Sequence, residues 1–136
     1  MRVFLDANIL FSAAKSAGAV RALLEELQRL GHECCADAYV VEEARRNLAT
    51  KAPEAGAALE RLLRRVSVAA LQPSGDLPEK AQLLPEKDRP VFSAAMRSGC
   101  DVLLTGDRTH FGAWFGKRIA GVAIHSPRSL TEAILR

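Results

Sequence analysis

Apolar residues along this chain fall into short continuous runs separated by longer stretches in which they recur every three or four positions. "RVFLD" (2–6) reads as a buried strand. "AVRALLEELQRLG" places Val20, Leu23, Leu24, Leu27 and Leu30 at helical spacing and stops on Gly31. "ECCAD" is a weak strand. "AYVVEEARRNLATKA" and "PEAGAALERLLRRV" are two helices, the second opening on Pro53. "SVAAL" (67–71) is a third strand, and the proline-rich stretch 72–87 is irregular, with a short helix inside a loop. "RPVFSAAMRSG" is a helix ending at Gly99, "DVLLTGD" is the clearest strand, and "GVAIHS" is a fifth. "SPRSLTEAILR" closes the chain as a helix capped by Ser126 with Pro127 behind it. No element is assigned to residues 7–18 or 108–120.

Continuous apolar strands alternating with helices predict a parallel sheet covered on both faces, a three-layer α/β/α fold with five strands. A length of 136 residues with 49% hydrophobic residues suits one domain, residues 1–136, with its own core. No apolar run approaches the ~20 residues of a membrane span. The chain meets Asp6 too early for a secretory signal, which points to the cytoplasm. The three cysteines, Cys34, Cys35 and Cys100, lack metal-site spacing and read as small buried hydrophobes in a reducing compartment. A net charge of +3 is mild, and most arginines alternate with acids as on solvated helix faces.

The chemistry gathers at the strand ends. In an open parallel sheet, ligands bind beyond the carboxyl ends of the strands. Asp6 and Asp107 each follow a strand there, and Asp88 starts the helix that runs back along the "DVLLTGD" strand, so it converges on Asp107. Asp101 lies at the opposite edge and reads as a turn acid. Between the neighbouring glutamates, Glu43 borders the core face of its helix, whereas Glu42 has Arg45 and Arg46 within a turn, so Glu43 is favoured. Singly, each acid has a structural reading, since Asp6 and Asp88 suit helix caps and Asp107 suits a Thr-Gly-Asp turn. Together they repel one another unless a cation intervenes. Hard oxygen donors with no histidine or thiol among them suit Mg²⁺ or Mn²⁺, ions that activate water and stabilise in-line phosphoryl displacement.

The ordered set "VFLDANIL", "YVVEEARRNL", "KDRPVFSAAMRSGCD" and "VLLTGD" resembles the PIN domain, the fold of metal-dependent ribonucleases that includes VapC-type toxins of toxin–antitoxin pairs. The resemblance implies that Asp6, Glu43, Asp88 and Asp107 form a catalytic, metal-holding acidic pocket, with Asn8 and Thr105 as polar support. It implies a divalent-metal-dependent endoribonuclease acting on single-stranded RNA, frequent homodimerisation and a possible antitoxin partner. Where many members carry a further acid, this chain has "RTHF", which leaves Arg108 and His110 as phosphate contacts. Two other classes are weighed. An aspartyl-nucleophile phosphatase wants a second Asp where Asn8 stands. A non-catalytic PIN-like module that binds RNA or protein would have no need of four repelling acids.

Overall fold

The computed structural model of the chain describes residues 1–70 and 79–134. Its first strand, β1 (Arg2–Leu5), forms because Val3, Phe4 and Leu5 are apolar on both faces, and all three are fully buried. Beside it lie β2 (Glu33–Asp37) and then β3 (Ser67–Ala69) on one flank. On the other flank lie β4 (Val102–Leu104), β6 (Val122–His125) and β5 (Lys117–Ile119), giving the order β3-β2-β1-β4-β6-β5.

Five strands are parallel, as the pattern predicts. A sixth, β5, is added antiparallel to β6 and so corrects the expected strand number. Its connection is the two-residue turn Ala120-Gly121, with φ of +51° and +84°. Positive φ at both central residues matches the right-handed twist of the flanking strands.

The helices are α1 (Ala7–Lys15), α2 (Ala19–Arg29), α3 (Ala38–Lys51), α4 (Gly56–Leu63), α5 (Arg89–Arg97), α6 (Arg108–Phe111) and α7 (Pro127–Ile134). The chief departure from the sequence reading is α1, which follows β1 directly. Its buried positions Ala7, Ile9, Leu10, Ala13 and Ala14 include three alanines, so the apolar face has little contrast with its surroundings. The single-turn α6 likewise has no predicted counterpart, and the remaining helices fall close to their predicted spans. Pro53 opens a 3-10 turn that leads into α4. Ser126 and Ser129 cap α7 reciprocally, each hydroxyl accepting the other's backbone N–H at 3.0 and 2.9 Å. The predicted third strand ends at Ala69; its last expected residue, Leu71, and most of the irregular stretch lie outside the described residues, and 79–83 form a 3-10 turn.

The core runs through β1, β2, β4 and β6 and the inner faces of α1, α2 and α3. All three cysteines are buried and unpaired. Among the described residues no helix is long and apolar enough to cross a membrane. Strand order reverses at β1: the chain moves from it to β2 and β3 on one side, then returns to β4 on the other. Such a reversal opens a crevice beyond the carboxyl ends of β1 and β4. Asp101 sits at the opposite edge, where its carboxylate accepts the Arg2 backbone N–H at 2.8 Å.

Candidate functional site

The crevice is a cleft of about 410 Å³ whose lining includes Asp6, Glu43, Asp88 and Asp107. Each acid arrives by a different local rule. Asp6 is the residue after β1 and the cap of α1, accepting the Ala7 N–H on Oδ1 at 2.7 Å. Asp107 follows the β4 end and caps the short α6, accepting the His110 N–H at 3.1 Å. Glu43 comes from α3, which the Asp37 side chain caps through the Val40 N–H. Asp37 is thus a fifth acid at this edge, but it does not line the cleft. Asp88 precedes α5, yet its carboxylate makes no capping bond there.

Polar support is centred on Thr105, which is fully buried. Its hydroxyl donates to Asp6 Oδ2 at 2.8 Å and accepts the Asp107 N–H at 3.1 Å, tying the β1 and β4 ends together. Asn8 spans the same gap: its amide nitrogen reaches Asp6 Oδ2 at 3.2 Å, and its oxygen accepts the Gly106 N–H at 2.8 Å. These donors hold Asp6 in one orientation and offset part of the cost of burying it.

They do not offset all of it. Burial pushes the Asp6 carboxyl above its ordinary range, against the Thr105 and Ala7 hydrogen bonds, and Glu43 and Asp107 add to the rise by like-charge repulsion. Asp88, 8% exposed, is raised for the same first reason, with His110 opposing and Asp107 reinforcing. The cleft therefore concentrates negative charge that Lys87, also opposing the rise at Asp88, offsets only in part.

His110 is brought into the cluster, a placement beyond the phosphate contact expected from sequence and a correction to the histidine-free donor set read there. Its Nδ1 lies 2.7 Å from Asp107 Oδ2 and 3.3 Å from Asp88 Oδ1, although its direction suits a hydrogen bond to neither. Asp88 Oδ2 is buried with no hydrogen-bond partner. A buried carboxylate oxygen left unsatisfied is costly, and such atoms are rare without a cause. One ligand atom each from Asp88, Asp107 and His110 falls within 4.8 Å of the others, a spacing that fits a single cation. The donor set, carboxylates with one imidazole, fits a divalent ion.

Arg108 is not in this cleft. It lines a separate depression with Gly106, Ser126 and Arg128. Glu42 is exposed, whereas Glu43 is half-buried and faces the cleft. What the sequence reading did not find is the other wall: Phe11 of α1, with Tyr39, Asn47 and Lys51 of α3. Tyr39, Glu43, Asn47 and Lys51 are four residues apart in succession, so the stripe becomes legible once Glu43 is placed.

Solved structures show the same fold. VapBC2 from Rickettsia felis, bound to a DNA fragment from its promoter, is similar at a TM-score of 0.67 and 17% identity, covering 93% of this chain and 98% of that one. VapBC-1 from nontypeable Haemophilus influenzae gives 0.58 and 18%, covering 94% and 99%. VapC20 from Mycobacterium tuberculosis, described as a Sarcin–Ricin loop cleaving toxin, gives 0.57 and 17%, covering 82% and 94%. No curated protein sequence matches the chain significantly. The family model of the PIN domain matches residues 2–109, a span that begins with β1 and takes in all four cleft acids and the Thr105–Asn8 brace between strand ends. The chain belongs to the PIN-domain family.

Proposed function

We propose that the protein is a divalent-metal-dependent endoribonuclease that hydrolyses phosphodiester bonds of single-stranded RNA. The observation that carries this reading is Asp88: a buried carboxylate that caps nothing, with one oxygen unpartnered and the other beside His110 and Asp107. Asp6, Glu43, Asp88 and Asp107 would hold Mg²⁺ or Mn²⁺, with His110 as a further donor. The ion, when bound, would supply water activation and neutralise charge gathering on the attacked phosphate and its leaving oxygen.

The chain's own residues do the positioning. Thr105 and Asn8 fix the Asp6 carboxylate so that no side-chain reorganisation accompanies binding. Glu43 closes the cleft from the α3 side. Arg108, facing the neighbouring depression, offers a backbone-phosphate contact for a strand leaving the acidic end. The VapBC neighbours are pairs, and by analogy we place this chain in the cytoplasm with an antitoxin protein and a second copy of itself as partners.

Incubation of a labelled single-stranded RNA with the protein in Mn²⁺ or in chelator tests the proposal. Cleavage should require the metal and disappear in Asp88→Asn. Cleavage that survives both chelator and Asp88→Asn would sink it. RNA binding without cleavage in a well-folded sample would instead favour a non-catalytic binding module.

A further inference from the structure

The cleft has two ends of opposite sign. Away from the acids, Phe11 sits half-buried on α1, packed against the core and lining the cleft. Two ammonium groups converge on its ring: Lys15 Nζ lies 5.8 Å from the centroid and Lys51 Nζ 5.9 Å. Lys15 comes from α1 and Lys51 from α3, so the pair exists only because these helices pack together.

Like charges do not gather on one ring without compensation. The ring quadrupole supplies part of it. Some cations of the chain take a carboxylate, as in Arg2–Glu33, Arg45–Glu60 and Arg128–Glu132, whereas others, such as Arg61, Arg108 and Lys117, have no ion pair among the described residues. Among the described residues, neither Lys15 nor Lys51 has an ion pair. Two exposed ammonium groups thus share one aromatic ring, and neither has an acid partner among the described residues.

The lysine pair is continuous with the acidic end. Glu43, Asn47 and Lys51 lie on one stripe of α3, and the eight steps from Glu43 to Lys51 span about 12 Å of helix axis. Lys51 lines the same cleft as the acids, and Lys15 meets it at the Phe11 ring from outside the lining, so a phosphate there is distinct from one meeting the acids. Aromatic surface is also present. Aromatic residues are only 5% of the chain, a composition that predicts few stacking platforms, yet Phe11 and Tyr39 both line this cleft. Tyr39 is 49% exposed on the same α3 stripe.

We propose that the Phe11 end of the cleft is a nucleotide subsite: Lys15 and Lys51 hold a phosphate flanking the scissile one, and the aromatic surface receives the attached nucleoside. This rests on the single-stranded RNA reading and adds where the strand lies and which way it runs from the acids. The subsite acts on binding, not on the chemical step.

The test measures equilibrium binding of a labelled, phosphorothioate-protected hexanucleotide RNA to the full chain in Ca²⁺ at several salt concentrations. The variants are Lys15→Ala/Lys51→Ala, Tyr39→Leu, and Lys117→Ala on the distant β5 strand as control. The lysine pair should flatten the salt slope by roughly 0.7 for each phosphate that the ammonium groups no longer neutralise. Tyr39→Leu should weaken binding about tenfold without altering that slope, as expected for the removal of a stacking surface. Lys117→Ala should match the parent. A lysine variant with the parent's slope and affinity overturns the subsite, as does a parent that does not bind the RNA. Mn²⁺-dependent cleavage of an unmodified strand is scored separately. Should the parent bind with these slopes yet not cleave, the subsite stands and the nuclease reading falls.

Discussion

Replacing Thr105 by valine would remove one hydroxyl and little else, and among the described residues it strikes the only side chain that bonds to both Asp6 and the backbone of Asp107. The Thr105 hydroxyl donates to a buried carboxylate at 2.8 Å and accepts an N–H at 3.1 Å. Valine nearly preserves shape but can do neither. Losing a hydrogen bond to a charged group costs about 1.5–3 kcal/mol, and stranding the Asp107 N–H adds about 1 kcal/mol. The expected loss is thus ~2.5–4 kcal/mol. Unfolding entropy near 2.1 cal/mol/K per residue gives roughly 0.29 kcal/mol/K for this chain. Thermal melts in chelator at pH 7 should therefore fall by about 9–14 °C. Thr105→Ser keeps both bonds and should lose only a buried methyl, worth ~1 kcal/mol.

The pH dependence sharpens the test. Asp6 has a raised folded-state pKa, so its protonation favours the fold. That stability is present below the unfolded-state carboxyl value and is lost as pH rises through the folded one. The Thr105 hydrogen bond opposes the shift. Without it the folded pKa climbs further, so the valine variant should be penalised most where Asp6 is ionised, and less at pH 4 than at pH 7. Equal losses at the two pH values, or a valine variant no worse than the serine one, would refute the assignment of Thr105 as support for an ionised Asp6.

Two further outcomes follow from the same cluster. Mn²⁺ at a hundred times its dissociation constant should stabilise the parent by ~2.7 kcal/mol, about 9 °C in a thermal melt, and Asp88→Asn should shrink that shift; an identical shift in the variant would remove Asp88 from the ion's ligands. Glu43→Gln should abolish metal-dependent RNA cleavage while exposed Glu42→Gln leaves most of it, and a reversed result would place the wrong glutamate in the cleft.

The central parallel strands were readable because both of their faces are buried, so their apolar runs are continuous: Val3–Leu5, Val102–Leu104 and Val122–Ile124 are all core. Helix α1 escaped for the opposite reason. With Ala7, Ala13 and Ala14 among its buried residues, small side chains replace the large ones that make periodicity visible. The hairpin that adds β5 was hidden by its turn. Ala120 stands at a positive φ where Asn or Asp is usual, so the strongest short-range hairpin signal is missing.

The site was legible in its parts and not in its arrangement. Strand ends placed Asp6 and Asp107 by direction alone, and the antiparallel run of α5 placed Asp88. Sequence could not say which acids are spent on structure. Asp6 and Asp107 both cap helices, and Asp88, equally suited to a cap by residue type, does not. The same limit applies to His110, which is three residues past Asp107 and is swung into the acids only because α6 makes a single turn there. A cap is decided by backbone angles, and an orphaned oxygen by everything packed around it. It follows that the least satisfied carboxylate, not the one nearest a strand end, is the position where removing charge should change ion binding most while costing the metal-free fold least.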